Sequence, residues 1–186
     1  MSHPSPALAD TRSAAWRAWR ASDWQLMAWM GAGRADRHWR LRLAIGLAHW
    51  SWVPLALCLV LCAVQRAGAL VPVATAMGLA TLVQVLAKRG ARWLSAPRPF
   101  ALGLCPNHLN HGERGGMPST HAAVMGCLAG ALSPWMAMWP ELALVPAIAA
   151  LTGWARVQAG AHFPSDVLVG LALGGALGRQ AMAVLG

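Results

Sequence analysis

Five long stretches of this chain are almost free of charge, and short polar segments separate them. Leu43 to Val64, Ala67 to Ala87 and Ser119 to Pro140 contain no Asp, Glu, Lys or Arg. Leu142 to Gln158 carries only Arg156, close to its end, and Val167 to Leu185 carries only Arg179. A helix that crosses the hydrocarbon core of a bilayer needs about 20 mostly apolar residues. The pattern therefore predicts an all-α integral membrane bundle with about five spanning helices.

Two segments depart from this pattern. Ala14 to Gly33 mixes Trp16, Trp19, Trp24 and Trp29 with Arg17, Arg20 and Asp23. Tryptophan interleaved with arginine suits a helix lying in the headgroup layer, and charges at mid-bilayer argue against a sixth span. Residues 1–42 are thus expected to form a basic, Trp-rich interfacial segment, and 43–186 the membrane domain. The second segment runs over 88–118 between the second and third spans. It carries Lys88, Arg89, Arg92, Arg98 and Arg114 against Glu113 alone, and reads as a polar loop outside the membrane.

Composition sharpens the picture. Hydrophobic residues make up 57% of the 186 and charged residues 11%, against about 25% charged in a soluble domain. The net charge is +9, but the basic residues form no polar stripe, so nucleic acid is not an expected partner. Seven arginines between Arg12 and Arg42 point instead to anionic membrane lipids. Cys58, Cys62, Cys105 and Cys127 form no C-x2-C pair and read as small buried hydrophobes. The N-terminus has no signal-peptide pattern, so insertion is expected to rest on internal spans.

Residues capable of chemistry gather in the second half. His162 and Asp166 are four apart, and Gly170, Gly174 and Gly178 continue that step. Such residues share one helix face, and small residues on it let a neighbouring helix approach closely in lipid. A carboxylate one turn from an imidazole can orient it; a capping pair would have the same spacing. Arg156 lies six residues before His162, where it either meets an anion or snorkels to headgroups. Pro118-Ser119-Thr120-His121 reads as a helix start, whose free N–H groups attract phosphate, or as an ordinary cap. Arg98, between Pro97 and Pro99, offers a rigidly held planar fork for phosphate oxygens. Cys105, His108 and His111 recur every three residues but lack an evident fourth ligand, so no metal site is expected.

These residues together resemble the type 2 phosphatidic acid phosphatase superfamily, whose pattern reads K-x6-R-P, P-S-G-H and S-R-x5-H-x3-D. The chain has Arg98-Pro99, then Pro118-Ser119-Thr120-His121, then Ala155-Arg156, His162 and Asp166 in the same order and spacing. The resemblance implies His162 as the nucleophile forming a phosphohistidine, Asp166 as its orienting acid and His121 as the acid for the leaving oxygen. It implies Arg98, Arg156, Ser119 and Thr120 around the phosphate, with no cofactor or metal. Three positions depart from the pattern: Ala91 stands at the first-motif lysine, with Lys88 the preferred substitute, Thr120 stands for glycine, and Ala155 for serine.

The expected function is a lipid phosphate phosphatase, with undecaprenyl diphosphate, phosphatidylglycerophosphate, phosphatidic acid and lipid A phosphates as candidate substrates. A non-catalytic anionic-lipid-binding membrane protein is the alternative; a haloperoxidase is disfavoured by the spans. A bacterial inner membrane is the expected location. Orientation stays open. Five spans put the N-terminal arginines and the loop on one side, which holds 13 of 15 basic residues, all but Arg66 and Arg179. That count favours the cytoplasm, whereas the resemblance implies the periplasm.

Overall fold

A computed structural model describes residues 14–33 and 38–185, with side chains from Trp19 onward. Arg12, Arg34 and Arg37 of the expected interfacial segment lie outside the described residues, as do the side chains of Trp16 and Arg17. Seven α-helices occur in the described chain: α1 (Ala14–Trp29), α2 (His38–Trp50), α3 (Trp52–Gln65), α4 (Leu70–Leu94), α5 (Thr120–Leu132), α6 (Leu144–Gln158) and α7 (Pro164–Leu185). The all-helical expectation holds.

Proline sets the boundaries. Leu43 to Val64 reads as one span, but the chain bends by 45° between α2 and α3. Pro54 in the first turn of α3 has no N–H, and its ring crowds the carbonyl of Trp50. Ser119 to Pro140 is helical only to Leu132; Pro134 then tightens the chain into a 3-10 turn over Ser133–Trp135. By length and composition α4 and α7 can each cross a membrane, and α2 with α3 makes a third candidate. The expected boundary between residues 42 and 43 falls inside α2, which runs through it unbroken.

The core lies between α3, α4, α5, α6 and α7, around Leu59, Val83, Leu128, Leu132, Leu142 and Val145. The outward faces of α3, α4 and α7 expose Leu57, Val60, Leu82, Leu86, Leu168 and Leu173, an apolar surface of the kind lipid covers. α5 and α7 make the closest pair. A Cβ on Gly170 would stand 2.7 Å from the Ser119 carbonyl oxygen, and one on Gly174 or Gly178 would overlap the Ala123 or Cys127 carbonyl. The stripe read from the sequence is this seam. At the far end Arg66 donates twice to Glu141, at 2.7 and 3.1 Å.

Candidate active site

Local chain reversals deliver the chemistry-bearing side chains to one end of the α5–α7 seam. α4 ends at Ser95 in the left-handed region (φ 50°). The loop then folds on itself: Pro97 pairs with Arg114, and the Arg98 N–H donates to the Glu113 carbonyl at 3.0 Å. This sets the Arg98 side chain beside Gly115, whose carbonyl accepts from Nη2 at 3.1 Å.

The second reversal follows α6. Gly160 is left-handed (φ 72°); its N–H donates to Val157 at 2.9 Å, and the Ala161 N–H to Arg156 at 3.0 Å. These two bonds are a Schellman motif. It turns the chain so that Ala161 accepts from Arg98 Nη1 at 2.9 Å and His162 follows next to it. Pro164 then occupies the first position of α7, where a missing N–H costs nothing. Asp166 accepts the Phe163 N–H at 2.9 Å, in the manner of a capping box. The Ser119 N–H donates to the Asp166 carbonyl at 2.9 Å, which fastens the start of α5 to the first turn of α7.

His162 is 2% exposed. Its Nδ1 lies 2.8 Å from the Gly116 carbonyl. A carbonyl only accepts, so Nδ1 carries the proton. Nε2 therefore presents its lone pair, here 3.0 Å from Arg98 Nη1. Asp166 Oδ2 stands 3.9 Å from Nδ1, too far for a hydrogen bond but close enough to stabilise positive charge on the ring. Burial first, then the guanidiniums of Arg98 and Arg156, pushes His162 well below its ordinary value, so the imidazole is neutral near pH 7.

The cluster is unbalanced in charge. Arg156 is buried, and among the described residues no carboxylate lies within ion-pair distance of it or of Arg98. The Nε atoms of both arginines and the Ser119 hydroxyl are buried without a hydrogen-bond partner. Ser119 occupies the N-cap position of α5 but its side chain caps nothing. Buried polar groups are normally satisfied. Two guanidiniums and a hydroxyl with unused hydrogen-bonding capacity form a site suited to a small oxyanion.

The structure thus brings Arg98, Ser119, Arg156, His162 and Asp166 together. His121 lies within electrostatic reach of Arg98 and Arg156. Together with Thr120 it lines an apolar groove of about 300 Å³ between α3, α4 and α5, walled by Trp52, Leu55, Met77 and Leu128. Lys88 is exposed on α4, and no hydrogen bond joins it to the cluster. Ala91, at the position of the first-motif lysine, is buried against Gly115.

Four contributors, His111, Gly116, Arg20 and Asp23, carry no signal of their role in the sequence. Arg156 Nη2 contacts His111 Nε2; burial first, then Arg156, Arg98 and His49, lowers His111 to about 4. In the sequence, His111 stands out only by its three-residue spacing from Cys105 and His108. Among the described residues no three His, Cys, Asp or Glu side chains are placed to hold a metal ion. Cys105 instead packs on Gly160, and burial raises its thiol to about 11. The Gly116 carbonyl carries no side-chain signal. Arg20 and Asp23, read as headgroup-facing, turn inward: Arg20 Nη2 donates to Asp166 Oδ1 at 2.9 Å.

The PAP2 superfamily model matches residues 69–185, and the chain belongs to that family. A stretch of 77 residues is 35% identical to "Putative undecaprenyl-diphosphatase YbjG" of Escherichia coli (strain K12); it covers 41% of this chain and 38% of that relative's length. Among solved structures, the transmembrane PAP2 type phosphatidylglycerolphosphate phosphatase of Bacillus subtilis superposes with a TM-score of 0.63 at 22% identity, over 96% of this chain and 89% of that one. Aquifex aeolicus LpxE gives 0.53 at 23% identity, over 96% and 92%. The chain has the fold of these PAP2 proteins and helices apolar enough for an integral membrane protein.

Proposed function

We propose that the chain hydrolyses a lipid phosphate or diphosphate through a phosphohistidine on His162. The observation that carries this reading is the trio of buried, unpartnered donors, Arg98 Nε, Arg156 Nε and Ser119 Oγ, beside an imidazole whose Nε2 is unprotonated. Arg98, Arg156, Ser119 and the N-terminal amides at Thr120 hold the phosphoryl oxygens and take up their transition-state charge. Nε2 of His162 attacks phosphorus as the bond to the lipid oxygen breaks. The ring becomes cationic; its Nδ1–H stays on the Gly116 carbonyl, and the charge is balanced by Asp166. His121 gives its proton to the leaving oxygen. It then takes a proton from the water that cleaves the nitrogen–phosphorus bond. Lys88 belongs to this set only if its long side chain swings towards the phosphate.

The groove beside His121 supports a lipid substrate, since an apolar channel can seat the part of an acyl or prenyl chain nearest the phosphate. Undecaprenyl diphosphate is the first choice, on the name of the partial relative. The five-span arrangement in a bacterial inner membrane extends the same reading. At 1.5 Å per residue, α6 is about 22 Å long, and the 3-10 turn at Pro140–Ala143 adds about 8 Å. That sum approaches the ~30 Å hydrocarbon core.

The deciding measurement is phosphate release by detergent-purified protein across a panel of lipid phosphates, with EDTA present. The expected result is release by the wild type and none by His162→Ala, which keeps its affinity for the lipid. No release by either protein, with lipid affinity kept by both, would favour the non-catalytic lipid binder; equal release by both would remove His162 as the nucleophile.

A further inference from the structure

The first helix, α1, lies outside the family-matched region and reaches into the catalytic cluster. α1 is fastened at its C-terminal end, where the Gly33 N–H donates to the Gln158 carbonyl at 2.9 Å and Gln158 Nε2 donates to the Gly31 carbonyl at 3.2 Å. Met27, 2% exposed, packs with Val157, Phe163 and Val167. This seating presents Arg20 and Asp23, one turn apart, to the start of α7.

Both side chains are buried, Arg20 to 8% and Asp23 to 5% exposure. The Arg20 guanidinium lies 4.6 Å from the centre of the Phe163 ring. It donates to Asp23 at 3.1 Å and to Asp166 Oδ1 at 2.9 Å. Asp23 in turn accepts the Ser165 N–H at 3.0 Å and the Ser165 hydroxyl, so it caps α7 from a different helix. The two oxygens of Asp166 thus have separate tasks. Oδ1 is held by Arg20, and Oδ2 accepts from Phe163 and faces His162.

Asp166 is fully buried, where a carboxylate without a counter-ion would rather hold a proton than a charge. Among the described residues, the charged and titratable groups that face it are Arg20 and Asp23 from α1, Arg98 from the 88–118 loop and His162 from the α6–α7 turn. Arg98 and His162 are both committed to the phosphate in the proposed reaction. Arg20 is the cation that touches Asp166.

We propose that Arg20 is a positioning residue of the active site, which keeps Asp166 ionised and aimed at His162. The inference rests on the phosphatase reading. The Arg20 guanidinium bonds to Asp23 and Asp166 and lies over Phe163, so it acts on turnover through Asp166 rather than on substrate binding. Asp23 holds Arg20 in place and ties it to the first turn of α7.

The test compares Arg20→Gln, Arg20→Lys and the wild type in full-length detergent-purified protein, with a soluble short-chain lipid phosphate as substrate. Arg20→Gln is expected to lower kcat by about 10- to 100-fold, the scale for a partner that acts through another group. KM should stay within about twofold, and activity should recover partly as pH rises, as the neutralised Asp166 regains its charge. Arg20→Lys should restore most of kcat. In an Asp166→Asn background, Arg20→Gln should have little additional effect on kcat or on melting temperature. The inference is overturned if Arg20→Gln turns over like the wild type. It is also overturned if Gln and Lys lose activity equally, with no pH recovery and with matching losses of melting temperature. A wild type that releases no phosphate from any lipid in the panel instead overturns the phosphatase reading on which the inference rests.

Discussion

The arginines of the cluster differ in how their charge is met, and that difference predicts their mutants. Arg98 is half-buried and Arg156 buried, both among carbonyls and imidazoles, with no carboxylate partner among the described residues, so their charge is available to a ligand. Removing one preorganised donor of transition-state charge usually costs about 10²–10³ in kcat. Arg98→Ala and Arg156→Ala should each show a loss of that size in phosphate-release kinetics. Lys88→Ala should lose far less, because Lys88 is exposed and makes no bond to the cluster; a loss equal to that of Arg98→Ala would mean that it reaches the bound phosphate. The histidines carry a pH signature. His111 falls from 6.5 to about 4 on folding, so between those values the unfolded chain holds more protons than the folded one. Its contribution to stability is complete above pH 6.5 and is lost as pH falls towards 4. Melting temperature in phosphate-free buffer should drop between pH 7 and 4.5, and less steeply for His111→Gln.

At the level of elements, the α5–α7 seam holds the site together, since it fixes Ser119 on one helix against Asp166 on the other. Its tolerance for added atoms is sharply position-dependent. A Cβ at Gly174 runs into the Ala123 backbone, whereas one at Gly175 meets only the Gly126 carbonyl oxygen, at 3.6 Å. Overpacking of this kind costs about 1–3 kcal/mol. Gly174→Ala should therefore lower the melting temperature clearly and reduce activity, while Gly175→Ala leaves both near wild type. Equal effects would show that the helices slide apart without cost. The stripe of glycines at four-residue spacing made this seam legible in advance. The bend between α2 and α3 was not, because hydropathy averages across Pro54 without registering its missing N–H.

For the whole molecule, the arrangement of ends follows from contacts at the site. α1 touches α7 at Asp166, and the 88–118 loop touches the α6–α7 turn, so the N-terminal segment and the site share one end of the bundle. Arg66 and Glu141 mark the other. Reporter fusions after Leu41 and after Pro106 should report the same side of the membrane. Opposite sides would require α1 or α2 to cross the bilayer in a way this packing does not accommodate.

Local pattern was enough for the helical class, the apolar helices α4 and α7, the small-residue seam and the order of Arg98, Ser119, His121, Arg156, His162 and Asp166, but not for a count of five spans. Each of these is a periodicity or a spacing, and a helix or a turn converts spacing into direction without help from the rest of the chain. The partners of His162 and Asp166 needed the folded molecule. The Gly116 carbonyl has no side chain to announce it, and His111 reaches Arg156 across 45 residues. Arg20 meets Asp166 across 146 residues. An arginine among tryptophans satisfies the headgroup layer and a buried carboxylate equally well. Only the docking of α1 on Phe163 removes it from water and makes the carboxylate its counter-ion.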